Sequence, residues 1–364
     1  MRVALVHHWL ITMRGGEKVL ESLSEMFPHS DIFTLFYREE GISAELNKHR
    51  ITASVLNYIP LSHRFYPNLL PLYPMACRTL DLRGYDMVIS SDSSLIKGVR
   101  IPQGTPHICY CHSPPRYLWE MEDVYLKDTS LLKRMAAKAI FPKLRTWDYS
   151  SAQKVDFFIA NSEFVKKRIN RYYGRKAEVI YPPVSQKPVP SDVEQKDYFL
   201  LLGQLVPYKR PDLAVEAFSN TGRKLIVIGE GPELGRLKKQ AGPSIRFMGW
   251  QDDNAVRRYL ASCRALVFPG EEDFGIVPVE AQMMGRPVIA FGRGGALETV
   301  INRETGLFFD SQDEKSLVGA LNEFEQIEHK FSPERIKLHS SQFDPNLFKN
   351  RFQKFVNTVM ESRQ

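Results

Sequence analysis

Short apolar runs alternate with amphipathic stretches along most of the chain. "RVALVHH" leads into "GGEKVLESLSEMF" and then "DIFTLF"; "DMVISS", "HICYCHS" and "DFFIANS" follow, each ending in a loop or a helical pattern. Runs of this length that read apolar on both faces predict strands of a parallel sheet covered by helices on each side. The alternation breaks at "YPPVSQKPVPSDVEQKD", residues 181–197, where four prolines sit among polar residues as in a linker. It then restarts with "YFLLLGQL", "KLIVIGEG", "IRFMGW", "RALVFPG" and "RPVIAFG", separated by helical patterns. Two doubly wound α/β domains in tandem are expected.

Length and charge narrow the class. At 364 residues with 43% hydrophobic content, the chain suffices for two globular domains. No run of about eighteen apolar residues is present to span a bilayer, and the N-terminus lacks the pattern of a secretory signal. A cytoplasmic protein is expected. The four cysteines (Cys77, Cys109, Cys111, Cys263) have no metal-ligand spacing, so neither a zinc site nor a disulfide is expected. The net charge of +7 is concentrated: residues 133–176 hold twelve Lys or Arg against three acids. Such a run suits either a solvated helix face or a surface that meets anionic lipid or phosphate. No nucleic-acid motif accompanies it.

In sheets of this kind ligands bind beyond the carboxyl ends of strands, so the strand-to-helix loops carry the functional reading. In "TMRGGEKV", Gly15 and Gly16 form a loop before a helix starting near Glu17, where free amides favour an anion. The spacing is not the dinucleotide G-x-G-x-x-G. His112 leaves the apolar run "CYCHS" into a Pro-Pro turn and would face a ligand, whereas Arg116, Tyr117 and Trp119 suit loop packing. In "GQLVPYKRPDLAVEAF" Lys209 and Arg210 precede a helix opening at Pro211. A cation there opposes the helix dipole unless an anion sits between them, which points to phosphate.

The densest signal is "FPGEEDFGIVPVEAQMMGRPVIA", residues 268–290. Glu271, Glu272 and Asp273 lie in a loop, Phe274 and Gly275 make a tight turn, and a helix from about Ile276 carries Glu280. Carboxylates so spaced can accept hydrogen bonds from several hydroxyls, while Gly275 and the following amides face a phosphate. Together they suit a sugar nucleotide.

On these motifs, with "FMGW" and "GRGGALETV", the sequence resembles the retaining glycosyltransferases of family four over nearly its whole length. The resemblance implies the GT-B fold, two Rossmann-like domains facing a central cleft. It implies an acceptor-binding domain at 1–184, a nucleotide-sugar-binding domain at 185–345 and a terminal helix at 346–364 that crosses back to the first domain. Glu272 would contact donor-sugar hydroxyls and Glu280 the ribose. Gly275, Ile276 and Val277 would meet sugar and diphosphate, Lys209 would neutralise the diphosphate, Gly15 and Gly16 would approach it, and His112 would sit beside the sugar. Strands ending near Gly229 and Gly249 would frame the base. Many relatives carry Arg where this chain has Gln204, which leaves Arg210 as the candidate replacement.

The wording "HSPPRYLW" is most similar to bacterial GDP-mannose-dependent mannosyltransferases of O-antigen, capsule or exopolysaccharide synthesis, though UDP-glucose or GDP-fucose would also fit. That resemblance implies a lipid-linked saccharide acceptor, a peripheral contact with the anionic inner face of the cytoplasmic membrane, and neither metal nor cofactor. No Asp-x-Asp metal motif lies in the expected loops. A sugar-nucleotide epimerase of the same architecture and a non-catalytic sugar-nucleotide-binding protein are the competing readings. A phosphorylase-like enzyme would need a pyridoxal-phosphate lysine in a distinctive context, which the sequence lacks.

Overall fold

A computed structural model describes residues 1–126, 129–185 and 193–361. Part of the expected linker, residues 186–192, lies outside these. The chain divides into two compact units, Met1–Pro183 with Pro345–Gln364, and Val184–Asp344.

The first unit holds seven parallel strands: β1 (Val3–His7), β2 (Asp31–Thr34), β3 (Ile51–Ala53), β4 (Met87–Asp92), β5 (His107–Cys111), β6 (Phe157–Ala160) and β7 (Ala177–Val179). Their order is β3-β2-β1-β4-β5-β6-β7. The strands β3 and β7 were not legible in the sequence, because each has three residues and neither is fully buried. They are edge strands, where the apolar signal is weakest.

Alternate residues of the central strands enter opposite cores, as the period-two pleat requires. Leu5, Ile89 and Tyr110 point to one face and pack with Leu20 and Leu23 of the helix Gly15–Met26. Ala4, Val6 and Val88 point to the other, against Phe141 and Leu144 of the helix Leu131–Ala152. The C-terminal helix Pro345–Glu361 buries Phe348, Phe352, Val356 and Val359 in the Leu5 core, with Phe348 edge-on to Tyr110 at 5.9 Å. Leu347 shares the apolar pattern but is 41% exposed, since it lies off that stripe.

The second unit holds six parallel strands: β8 (Phe199–Leu202), β9 (Leu225–Ile228), β10 (Ile245–Gly249), β11 (Leu266–Phe268), β12 (Val288–Phe291) and β13 (Gly306–Phe309). Their order is β10-β9-β8-β11-β12-β13. Phe199, Val227, Val267 and Ile289 pack on one face with Phe218 of the helix Pro211–Thr221 and Leu321 and Phe324 of the helix Glu314–Ile327. In each sheet the strand order reverses once, between β1 and β4 and between β8 and β11, so each unit has one switch point for a ligand. All four cysteines are buried and free.

Candidate functional site

In the second unit the loops after β8 and β11 meet. Gly203 follows β8 with φ +143°, and its N–H bonds Ile228 O at 3.0 Å. A β-carbon on Gly229 would collide with the Gly203 carbonyl, and one on Gly231 with that of Leu205. Gly229 therefore has a packing reason of its own. Its N–H bonds the carbonyl of Gly249, which ends β10 at φ +66°. Beyond Gly203 the chain exposes Gln204 and makes a short turn at Pro207–Lys209. The helix starts at Pro211, whose missing N–H costs nothing in the first turn.

Lys209 reaches across to the second loop, its Nζ 2.8 Å from Glu272 Oε1, both side chains about one-fifth exposed. A β-carbon on Gly270 would press on the Lys209 backbone, so that glycine lets the two loops approach. With Leu202, Gly203, Gln204 and Phe268, these residues line a small pocket. Arg210 turns elsewhere. It adopts φ +53°, and its guanidinium bonds Asp212 at 3.1 Å and the Gln312 carbonyl at 3.2 Å. It is thus held by neighbours of its own and does not take the place of a cation at Gln204.

The acidic loop is anchored at both ends. Phe274 is buried edge-on against Phe343 at 5.4 Å, and Gly275 with φ +91° turns the chain into the helix Ile276–Met283. First-turn amides such as those of Ile276 and Val277 lack partners within a helix and suit an anion. Asp273 and Glu280 are both half-buried, Glu280 on the helix. The glycines of "GRGGALETV" have a role that the motif alone does not disclose. Gly295 donates its N–H to Glu272 O at 2.8 Å, and β-carbons on Gly294 and Gly295 would strike the backbones of Glu272 and Phe274. The signal was a Gly-Gly pair, but its partner lies some twenty residues earlier and is visible only in the fold.

The first unit assembles a second cluster at the carboxyl ends of β1 and β4. Gly15 and Gly16 lie in the first turn of the helix Gly15–Met26, not in the loop expected from the sequence. Arg14 takes the cap position, and its N–H bonds Glu17 Oε2 at 3.0 Å. A β-carbon on Gly16 would meet the rings of His7 and His112, each at 3.5 Å. His7 stands opposite Ser91 in the β1/β4 register. Ser91 Oγ lies 3.1 Å from His7 Nδ1 and 2.8 Å from His112 Nε2. Burial lowers the pKa of His7, His8 and His112 to about 3 and raises that of Glu17.

His7, His8 and Glu17 offer ligand atoms within 4.8 Å of one another. Both His8 nitrogens, however, have partners: Ser91 O at 3.3 Å and Ser93 Oγ at 3.2 Å. The trio could take a metal ion only by giving those up. Beneath the cluster Asp92 accepts the N–H of Ser94 at 2.7 Å and pairs with buried Lys97 at 3.2 Å. Lys97 also pairs with Asp148, which accepts from Trp119 and Tyr173 at 2.8 Å each. Trp119 is therefore packing, as expected, stacked 5.0 Å from Tyr172.

The two halves match two glycosyltransferase families: residues 13–187 match "Glycosyltransferase Family 4" and residues 185–338 match "Glycosyl transferases group 1". The chain belongs to the family-four glycosyltransferases. This glycosyltransferase is 25% identical to O-antigen chain mannosyltransferase C of Escherichia coli, over 57% of this chain and 60% of that one. It is 49% identical to alpha-1,3/1,6-mannosyltransferase alg-2 of Neurospora crassa, over 57% and 54%. The glycosyltransferase spans about half the length of the curated relatives it matches. A solved structure, Anabaena Alr3699/HepE in complex with UDP, superposes with a TM-score of 0.72 at 16% identity, covering 98% of this chain and all of that one. At that identity the likeness speaks to the fold, GT-B.

The basic stretch of the glycosyltransferase is less free than its composition suggests. Arg145 bonds Glu122 and the Leu118 carbonyl, Arg168 is buried and pairs with Glu120 at 2.8 Å, and Arg175 bonds the carbonyls of Ala152 and Val155. Lys133, Lys138 and Lys143 remain exposed, next to Leu131, Leu132 and Met135, which are 73%, 78% and 62% exposed. Among the described residues no helix is long and apolar enough to cross a membrane.

Proposed function

We propose that this glycosyltransferase moves mannose from GDP-mannose to a lipid-linked saccharide with retention of anomeric configuration, in the building of O-antigen, capsule or exopolysaccharide. The observation that carries the reading is the Lys209–Glu272 contact of 2.8 Å, at the one place in the second sheet where strand order reverses. A cation and a hydroxyl-accepting carboxylate side by side suit the diphosphate and the sugar of one donor. Mannose is supported by the mannosyltransferase names among the relatives.

Departure of a nucleoside diphosphate builds negative charge on the phosphate and positive charge on the anomeric carbon. Lys209 and the first-turn amides after Gly275 are placed to stabilise the former, so the reading includes no metal. Glu272 holds the Lys209 ammonium in place and accepts from sugar hydroxyls, while Glu280 takes the ribose. The reading gives Gly15, Gly16 and His112 donor roles as well. The reading assigns no residue the acid or nucleophile role of a glycosidase and is one of same-face attack, with the leaving phosphate accepting the acceptor's proton.

A lipid-linked acceptor places the enzyme at the inner face of the cytoplasmic membrane. Exposed Leu131, Leu132 and Met135 beside Lys133 and Lys138 support a peripheral dock on anionic lipid. Calorimetry with GDP-mannose, GDP-fucose and UDP-glucose tests the donor. GDP-mannose should bind tightest, and preference for UDP-glucose would overturn that choice.

A further inference from the structure

We propose that Glu17, His7 and Ser91 form a directed hydrogen-bond chain that holds His112 in a single tautomer, with Nε2 protonated and Nδ1 left as an acceptor. The three are positioning residues. The consequence for catalysis rests on the reading of His112 as a donor-sugar contact, but the chain itself does not.

The direction follows from one atom. His7 is buried, its Nε2 has no hydrogen-bond partner, and that nitrogen lies 3.6 Å from Glu17 Oε1. Glu17 is 2% exposed and burial raises its pKa; against that, its other oxygen accepts the Arg14 N–H at 3.0 Å in the first turn of a helix, and the chain takes Glu17 in the carboxylate form that these two features favour. An imidazole lone pair turned toward a carboxylate is repelled, whereas an N–H is attracted, so His7 carries its hydrogen on Nε2. Burial keeps His7 neutral, and a neutral imidazole has one N–H. His7 Nδ1 is then an acceptor and takes the Ser91 hydroxyl hydrogen across 3.1 Å. A serine hydroxyl has one hydrogen to give. With it committed to His7, Ser91 Oγ accepts from His112, across 2.8 Å, and the donor is Nε2–H.

The second nitrogen of His112 is thereby fixed as a lone pair. It can accept the hydrogen of a sugar hydroxyl and cannot donate to one, so the chain decides the sense of that contact. A partner that sets which nitrogen of a histidine bears the proton is a common way to prepare it for a ligand. His8 does not take part, although its ring centroid lies 4.0 Å from that of His7, because both its nitrogens bond elsewhere. The register that sets His7 opposite Ser91, and the bond from His112 N to Asp92 O at 2.8 Å, hold the three groups on adjacent strands.

Nitrogen NMR of histidine-labelled protein at pH 7.5 tests this, with the His112 signals assigned by their loss in His112→Asn. The expected wild-type pattern is a protonated Nε2 and an unprotonated Nδ1. Ser91→Ala and Glu17→Gln should both move His112 toward the averaged signals of mixed tautomers, while Ser91→Thr, which keeps the hydroxyl, should preserve the wild-type pattern. Circular dichroism confirms that each variant is folded, and if Ser91→Ala is not, Glu17→Gln carries the test. A protonated Nδ1 in the wild type, or His112 signals unchanged in both variants, overturns the chain. In the transfer assay Ser91→Ala should slow turnover about tenfold, with no further loss in a His112→Ala background. Additive losses would likewise count against it. If the NMR pattern holds but His112→Ala transfers normally, the chain stands and the donor role of His112 falls.

Discussion

The Lys209 ammonium lies 2.8 Å from the Glu272 carboxylate, each side chain supplied by the loop after a different strand, β8 and β11. Because the leaving group's charge grows toward the transition state, Lys209→Ala should act mainly on turnover. A loss of about 2–4 kcal/mol in the barrier is expected, with a smaller change in KM. Steady-state kinetics with varied donor measure this. Unchanged turnover would remove Lys209 from the phosphate site.

Glu280 should behave differently. Ribose hydrogen bonds exist before and during reaction, so Glu280→Ala should weaken donor binding by about 1–3 kcal/mol while leaving turnover at saturating donor nearly intact. Calorimetric titration of the variant with GDP-mannose gives the number. A collapse in turnover with normal binding would place Glu280 in the chemistry instead.

Acid stability reports on the buried histidines. His7, His8 and His107 are buried with pKa lowered by desolvation to about 3, 3 and 4, below the 6.5 of an unfolded chain. Below pH 6.5 the unfolded state takes up protons that the folded state refuses, so stability falls with pH. The decline begins near 6.5 and continues toward 4 or below, at up to about 1.4 kcal/mol per pH unit for each group. Urea unfolding at pH 7.5, 6.5, 5.5 and 4.5 should show it. Stability that is flat from 7.5 to 4.5 would mean that these rings are not held neutral.

Membrane docking is tested by vesicle sedimentation. Replacing Lys133, Lys138 and Lys143 by Gln should reduce binding to anionic vesicles, each Lys contributing on the order of 1 kcal/mol, and added salt should do the same. Replacing Leu131, Leu132 and Met135 by Ser should weaken binding even at high salt. Equal binding to neutral and anionic vesicles, unaffected by either set, would leave the segment a solvated helix face.

Much of this architecture was legible in the sequence because parallel strands buried on both faces are written as apolar runs, and "YKRP" and "FGIVP" sit beside helix starts that local rules detect. What was not legible depends on distance along the chain. The binding of Arg210 by Gln312, of the Glu272 loop by Gly295, and of His7 by Ser91 joins residues that only the strand order brings together. The first turn at Gly15 and Gly16 was misplaced as loop for a local reason: two glycines oppose helix, and the Arg14–Glu17 capping that offsets them involves an unusual cap residue. Charge counting overstated the free basic surface, since it cannot see that Arg145 and Arg168 are already paired.

The most direct test of the account is a single incubation of the protein with GDP-mannose and a polyprenyl-linked saccharide. Mass spectrometry would follow the products and NMR the anomeric configuration of the new linkage. The account predicts release of GDP, an acceptor longer by one hexose, and an α-mannosyl linkage that retains the configuration of the donor. An altered donor sugar without acceptor elongation, bound donor without GDP release, or a β-linked product would contradict it.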